Sequence, residues 1–274
     1  MHMDETTLLC ETCGYGLAGL PAWAACPECA RPISTSLPAS RPGTPWQRGP
    51  GLFSWLSSSW MALRHPRRLF SMLRVERQHA SRLRWINLVL AAAVMVAPWT
   101  GAFIGDPARA ARGVGGWREP VAMIFTPLAE VLLVALILFV LTWIEERGIR
   151  FFAARRGWRL TAPAAAQICA HASIGWLLCG GLSMLFLATL FSVTRVFGVS
   201  PSGALDLRPY VEVTLHWSQV VPLVGLGGSY FLGMLAFELL VYAGVRECRY
   251  ATAMHAEASA APQSAEPNVS APPR

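Results

Sequence analysis

The 274-residue chain contains no lysine; all 23 of its basic residues are arginine. That absence removes the nucleophilic, Schiff-base and phosphate-loop lysines on which several enzyme classes depend. Charge of either sign is scarce, at 14% of residues against 54% hydrophobic, and a mean hydropathy of +0.40 is too high for an ordinary soluble domain. Catalytic signatures are missing too: there is no GxSxG elbow, no HExxH motif and no carboxylate pair suited to hydrolysis. A non-enzymatic protein is therefore expected. Met1 to Leu9 carry neither a basic segment nor a long apolar core, so a cleaved signal peptide is not expected.

What is present begins with cysteine. Cys10-Glu-Thr-Cys13 and Cys26-Pro-Glu-Cys29 are two CxxC pairs separated by twelve residues, the spacing of a structural zinc ribbon. Thioredoxin-like redox chemistry would need one pair in a strand-helix context, and neither condition holds. Four thiolates close the tetrahedron and leave no position for water, so Zn2+ here is expected to be structural. Gly14 and Pro27 suit the two turns, and Tyr15, Leu17, Leu20 and Trp23 can cover the ribbon or dock a protein. No arginine lies between Cys10 and Cys29, which argues against nucleic acid and for a protein partner at the ribbon.

After the ribbon (1–33), residues 34–50 are dense in Pro, Ser, Gly and Arg and are expected to form a flexible linker. Residues 51–84 read as an amphipathic, arginine-rich juxtamembrane segment. Leu69, Met72, Leu73 and Leu83 supply its apolar face, and Arg64, Arg67, Arg68, Arg74, Arg77, Arg82 and Arg84 face anionic lipid headgroups. Four apolar stretches follow within 85–246, at about 85–105, 120–144, 164–194 and 216–245, each long enough to cross a hydrocarbon core of ~30 Å. The last two are long enough to break at Pro163, Gly180-Gly181 or Gly227-Gly228, or to hold a fifth segment. Residues 247–274 are expected to be a disordered tail.

Eighteen arginines fall on one side of this topology and five on the other, which places both termini in the cytoplasm and the ribbon thiols in a reducing compartment. The expected fold class is thus an all-α polytopic membrane helix bundle in the cytoplasmic membrane, preceded by a small zinc ribbon. Such a bundle is compatible with homo-oligomerisation.

Ionisable groups inside spans are costly and mark candidate sites. His171 and Glu238 lie near the same end of the third and fourth spans and are expected to pair. Glu130, near the middle of the second span, is expected at the depth of Gly180, Gly181 and Ser183 and of Gly227 to Tyr230. Two functional readings follow. The first is an adaptor or membrane-organising protein whose ribbon docks a partner; the second is a transporter-like or proton-handling bundle using Glu130, or His171 with Glu238, with the ribbon as regulatory cap.

The run Leu141-Thr-Trp-Ile-Glu145, Gly157-Trp-Arg159, His171-Ala-Ser-Ile-Gly-Trp176 and the lead-in His65-Pro-Arg-Arg-Leu-Phe70 resemble bacterial membrane proteins of the Yip-domain type. A ribbon reading CxxCGYxLxGL, then CPEC, is similar to those attached to such proteins. The resemblance implies a multi-span, non-enzymatic adaptor. GTPase binding, associated with eukaryotic members, does not carry over, because the acidic Asp-Leu-Tyr-Gly-Pro segment is absent and four spans are read rather than five.

Overall fold

Helix boundaries follow the local chemistry of the chain. Thr44 caps a short helix α1 (Pro45–Arg48) through a capping box with Gln47, and Pro45 occupies its first turn. Helix α2 (Leu52–Arg64) stops where Pro66 forces His65 out of the helical region, to φ −140° and ψ 60°, and the same proline opens α3 (Pro66–Ser71). The computed structural model describes residues 7–104, 118–196 and 217–252. Expectations for residues 1–6, for the loops 105–117 and 197–216, and for the tail from residue 253 lie outside them.

The long helices are α4 (Ala80–Ile104), α5 (Arg118–Arg155), α6 (Ala162–Ala172), α7 (Ile174–Val196) and α8 (Trp217–Cys248). Among the described residues the chain forms no strand, only two isolated bridges in the ribbon. Among the described residues, four helical stretches are long and apolar enough to cross a membrane: Ala80–Ala97, Phe125–Arg155, Ala162–Leu190 and Val224–Cys248. The protein is an all-α bundle with a cysteine cluster at its N-terminal end.

The third of these stretches is two helices rather than one. The interruption falls at Ser173, not at Pro163 or Gly180-Gly181, the break points the sequence offers in this stretch. There the Ser173 hydroxyl donates to Ala170 O at 2.7 Å and accepts from Asn87 Nδ2 at 3.0 Å, so the break is fixed from α4. Helix α6 is enclosed: Ala164, Ala165, Gln167, Ile168, Cys169, Ala170, His171 and Ala172 are all buried. Its alanines let α4, α5 and α8 close in around it. Helices α7 and α8 approach so closely that a Cβ on Gly233 would meet Cys179 Cβ at 2.2 Å.

Two expectations for residues 34–84 are corrected. The linker is packed, not free. It forms 3-10 turns at Ile33–Ser36 and Pro38–Ser40, and Ser36, Arg41, Thr44, Trp46 and Gln47 are buried. Composition misleads here because these side chains bond backbone groups elsewhere. Trp46 Nε1 donates to His79 O at 3.1 Å, and Gln47 Nε2 donates to Arg74 O at 2.8 Å. In the juxtamembrane segment Leu69, Leu73 and Leu83 are core residues. The exposed apolar face belongs to α2 instead, through Leu52, Phe53, Leu56, Trp60 and Leu63.

Candidate metal centre

The ribbon is built from one knuckle used twice, sixteen residues apart. In the first, Leu9 bridges Gly16, Cys10 N donates to Tyr15 O at 2.8 Å, and Gly14 N donates to Cys10 O at 2.8 Å. In the second, Ala25 bridges Pro32, Cys26 N donates to Arg31 O at 2.8 Å, and Ala30 N donates to Cys26 O at 2.9 Å. Leu17 and Ile33, at matching positions, are buried with Cys10 and Cys26 as the ribbon's own small core.

Both knuckles need a left-handed residue after their second cysteine. Gly14 meets the need at φ 81°, whereas Ala30 adopts φ 57° with a Cβ in place. Ala30→Gly is therefore expected to stabilise the ribbon by about 1 kcal/mol, read as a higher midpoint for its thermal or chelator-induced unfolding.

The four Sγ atoms of Cys10, Cys13, Cys26 and Cys29 lie within 4.8 Å of one another. Cys10 to Cys29 is 3.5 Å and Cys13 to Cys26 is 3.6 Å. A tetrahedron with metal–sulfur bonds of ~2.3 Å has edges of about 3.8 Å, so the set fits a thiolate-bound metal ion. The cysteines are free, and their separations are far beyond a disulfide's ~2.05 Å.

Protonation reflects this crowding. Burial works against a Cys10 thiolate, but the amides of Cys13 and Thr12 and the neighbouring thiols outweigh it and bring Cys10 down to about 6. Cys13 is pushed up to about 12 by burial and by the three other thiols, against the amide of Tyr15. One thiolate forms readily and resists a second beside it. A bound cation removes that conflict.

The ribbon does not hang on a tether. Arg41, only 4% exposed, reaches Glu11 with Nε to Oε1 at 2.8 Å and Nη2 to Oε2 at 3.0 Å. Its remaining N–H groups bond Phe70 O at 2.9 Å, Leu73 O at 3.2 Å and Glu247 O at 3.0 Å, the carbonyls at the ends of α3 and α8. One guanidinium thus joins the ribbon, the connecting segment and two helix C-termini. Around it, Arg249 Nη2 donates to Thr12 O at 2.9 Å, Arg159 donates to Thr7 O, and the Tyr250 ring lies against Gly14.

Outside the metal set, the sequence-expected site residues are not assembled as expected. His171 does not pair with Glu238: its Nε2 is 3.1 Å from Thr44 Oγ1 and its Nδ1 is 2.9 Å from Gln167 O. Glu238 sits on an exposed face of α8. Glu130 is half-buried on α5, with no hydrogen bond or ion pair among the described residues. Among the arginines expected to face lipid, Arg64, Arg67, Arg68, Arg77 and Arg82 are exposed. Arg84 instead pairs with Glu146 at 2.7 Å, and Arg74 turns inward to donate to Arg41 O at 3.1 Å.

Arg41 and Thr44 were hidden by their surroundings in the sequence, since a Pro-Ser-Gly-Arg stretch carries no apolar periodicity. The chain matches no family model, no curated protein and no solved structure.

Proposed function

We propose that this protein is a non-enzymatic adaptor of the cytoplasmic membrane, its termini in the cytoplasm and its ribbon held by structural zinc. All-thiolate donors in a closed set suit Zn2+, and a structural ion needs no open position. The arginine distribution along the sequence supports the orientation. The resemblance to Yip-type proteins points the same way on activity.

One observation carries the docking role. On the ribbon, which is fastened to the bundle at Glu11, Thr12 and Gly14, Trp23 is 88% exposed, in a loop with exposed Leu20, Pro21 and Ala22. An exposed tryptophan on a ribbon fastened to the bundle is the kind of side chain that anchors protein interfaces. The occupant is a protein with an apolar pocket for the indole.

The test places a photoreactive amino acid at Trp23 of the full chain in cells. A discrete protein adduct is expected, and with the adduct partner purified, Trp23→Ala is expected to weaken binding about thirtyfold or more. Arg31→Ala, on the same ribbon, should change it little. Absence of any protein adduct at position 23, or equal binding by Trp23→Ala, would sink the reading.

A further inference from the structure

Helix α2 presents one face inward and the other to the surroundings. Ser58 and Ala62 are buried, Ser58 Oγ accepts from Trp46 N at 2.9 Å, and Trp55 Nε1 donates to Asn87 Oδ1 at 2.7 Å. On the opposite side Leu52, Phe53 (85% exposed), Leu56, Trp60 (64% exposed) and Leu63 recur at helical spacing with no protein over them. Such a face on a soluble surface would be a liability.

The bundle shows what covers it. Asn87 lies inside the span-length stretch Ala80–Ala97, so the Trp55 bond pins α2 beside a membrane-crossing helix. The exposed Trp85, Val89 and Leu90 of that same helix α4, with Trp143 and Ile144 of α5, are outward-facing apolar side chains of the bundle. The α2 face is of the same apolar kind. With 13 residues α2 is about 20 Å long, too short to cross, so it must lie along the interface.

Charge supplies the second observation. The turn from α2 into α3 encloses an open hollow of about 440 Å³ lined by Arg64, His65, Pro66, Arg67 and Arg68. The Arg64 guanidinium lies 5.6 Å from the centre of the Trp60 ring, at the edge of the apolar face. Among the described residues, the two ion pairs use Arg41 and Arg84, so none neutralises Arg64, Arg67 or Arg68, and no carboxylate lines the hollow. An apolar stripe ending in uncompensated arginines matches the acyl chains and phosphate of one anionic lipid.

We propose that α2 is an in-plane membrane anchor whose Leu52, Phe53, Leu56, Trp60 and Leu63 face enters the acyl region, and that the Arg64–Arg68 hollow at its end binds the phosphate of an anionic phospholipid. The inference does not depend on the role of Trp23 or on the identity of the metal. It makes lipid composition a determinant of how residues 51–71 are seated.

Two measurements on the full chain test it. First, protein reconstituted in nanodiscs of phosphatidylcholine with phosphatidylglycerol is released into detergent, and retained lipid is identified by native mass spectrometry. Wild type is expected to keep phosphatidylglycerol preferentially, and Arg64→Gln/Arg67→Gln/Arg68→Gln to lose that preference by about tenfold. The control Arg31→Gln/Arg48→Gln/Arg246→Gln removes equal charge from exposed arginines outside the 64–84 segment and should retain it. An unchanged first triple, or equal loss in both, overturns the site. Second, a photoreactive residue at Phe53 or Trp60, with every arginine intact, is expected to give phospholipid adducts, and one at Trp23 none. No lipid adduct from either α2 position overturns the anchor.

Discussion

Cys26→Ser/Cys29→Ser is expected to abolish metal binding and unfold residues 8–33 while leaving the helices in place. The ribbon's own core is little more than Cys10, Leu17, Cys26 and Ile33, far too small to order a segment of this length by burial alone. A structural metal in such a site contributes on the order of 10 kcal/mol or more to folding, and that contribution vanishes with two of its donors. Metal content of the purified protein should fall from stoichiometric to background, and amides 8–33 should exchange rapidly. Far-UV circular dichroism should remain strongly helical, since the bundle core from Ala62 to Ala251 includes no ribbon residue. Acidification should act in the same direction. Metal binds the thiolate forms, so its stabilisation is present at neutral pH and is lost as falling pH returns protons to the cysteines. Retention of metal by the double variant would refute the assignment of the centre.

The second large effect is expected at Arg41. Arg41→Gln leaves the Glu11 carboxylate without its cation and removes the donors that hold Phe70 O, Leu73 O and Glu247 O. Breaking a buried pair in this way costs about 3–5 kcal/mol. Arg41→Lys should recover little of it, because one ammonium cannot reach a carboxylate and the ends of two helices together. The consequence differs from loss of the cysteines. The ribbon should keep its metal but leave its seat, so limited proteolysis should cut within residues 34–50 while metal content stays at the wild-type level. Glu11→Gln should have a smaller effect, since Arg41 then keeps its carbonyl partners. Proteolytic resistance of Arg41→Gln equal to wild type would show that the other contacts, from Arg159, Arg249 and Tyr250, are sufficient for docking.

These two variants also separate the elements that were legible along the chain from those that were not. The metal centre was legible because CxxC spacing encodes its geometry locally. The membrane stretches were legible because hydropathy summed over some twenty residues outweighs the details of packing. The exposed arginines at Arg64, Arg67 and Arg68 were legible as a cationic run, although the apolar face beside them was sought at Leu69, Leu73 and Leu83 and lies on α2. That error has a simple cause: α3 ends at Ser71 and α4 begins at Ala80, so Leu69, Leu73 and Leu83 share no single helical phase, and each turns into the core instead.

By itself, then, the sequence determined the four-cysteine cluster able to hold a metal ion, the all-helical class and the four stretches, among the described residues, long enough to cross a membrane. Each of these depends on residues close together in the chain or on composition averaged over a window. Only the tertiary structure decided that the ribbon is fastened rather than tethered, that His171 meets Thr44 rather than Glu238, and that Arg84 serves Glu146. The first of those outcomes turns on where the carbonyls at the ends of α3 and α8 fall relative to a polar connecting segment. A buried guanidinium goes where unsatisfied backbone acceptors and a carboxylate converge, and that convergence exists only once the helices have packed.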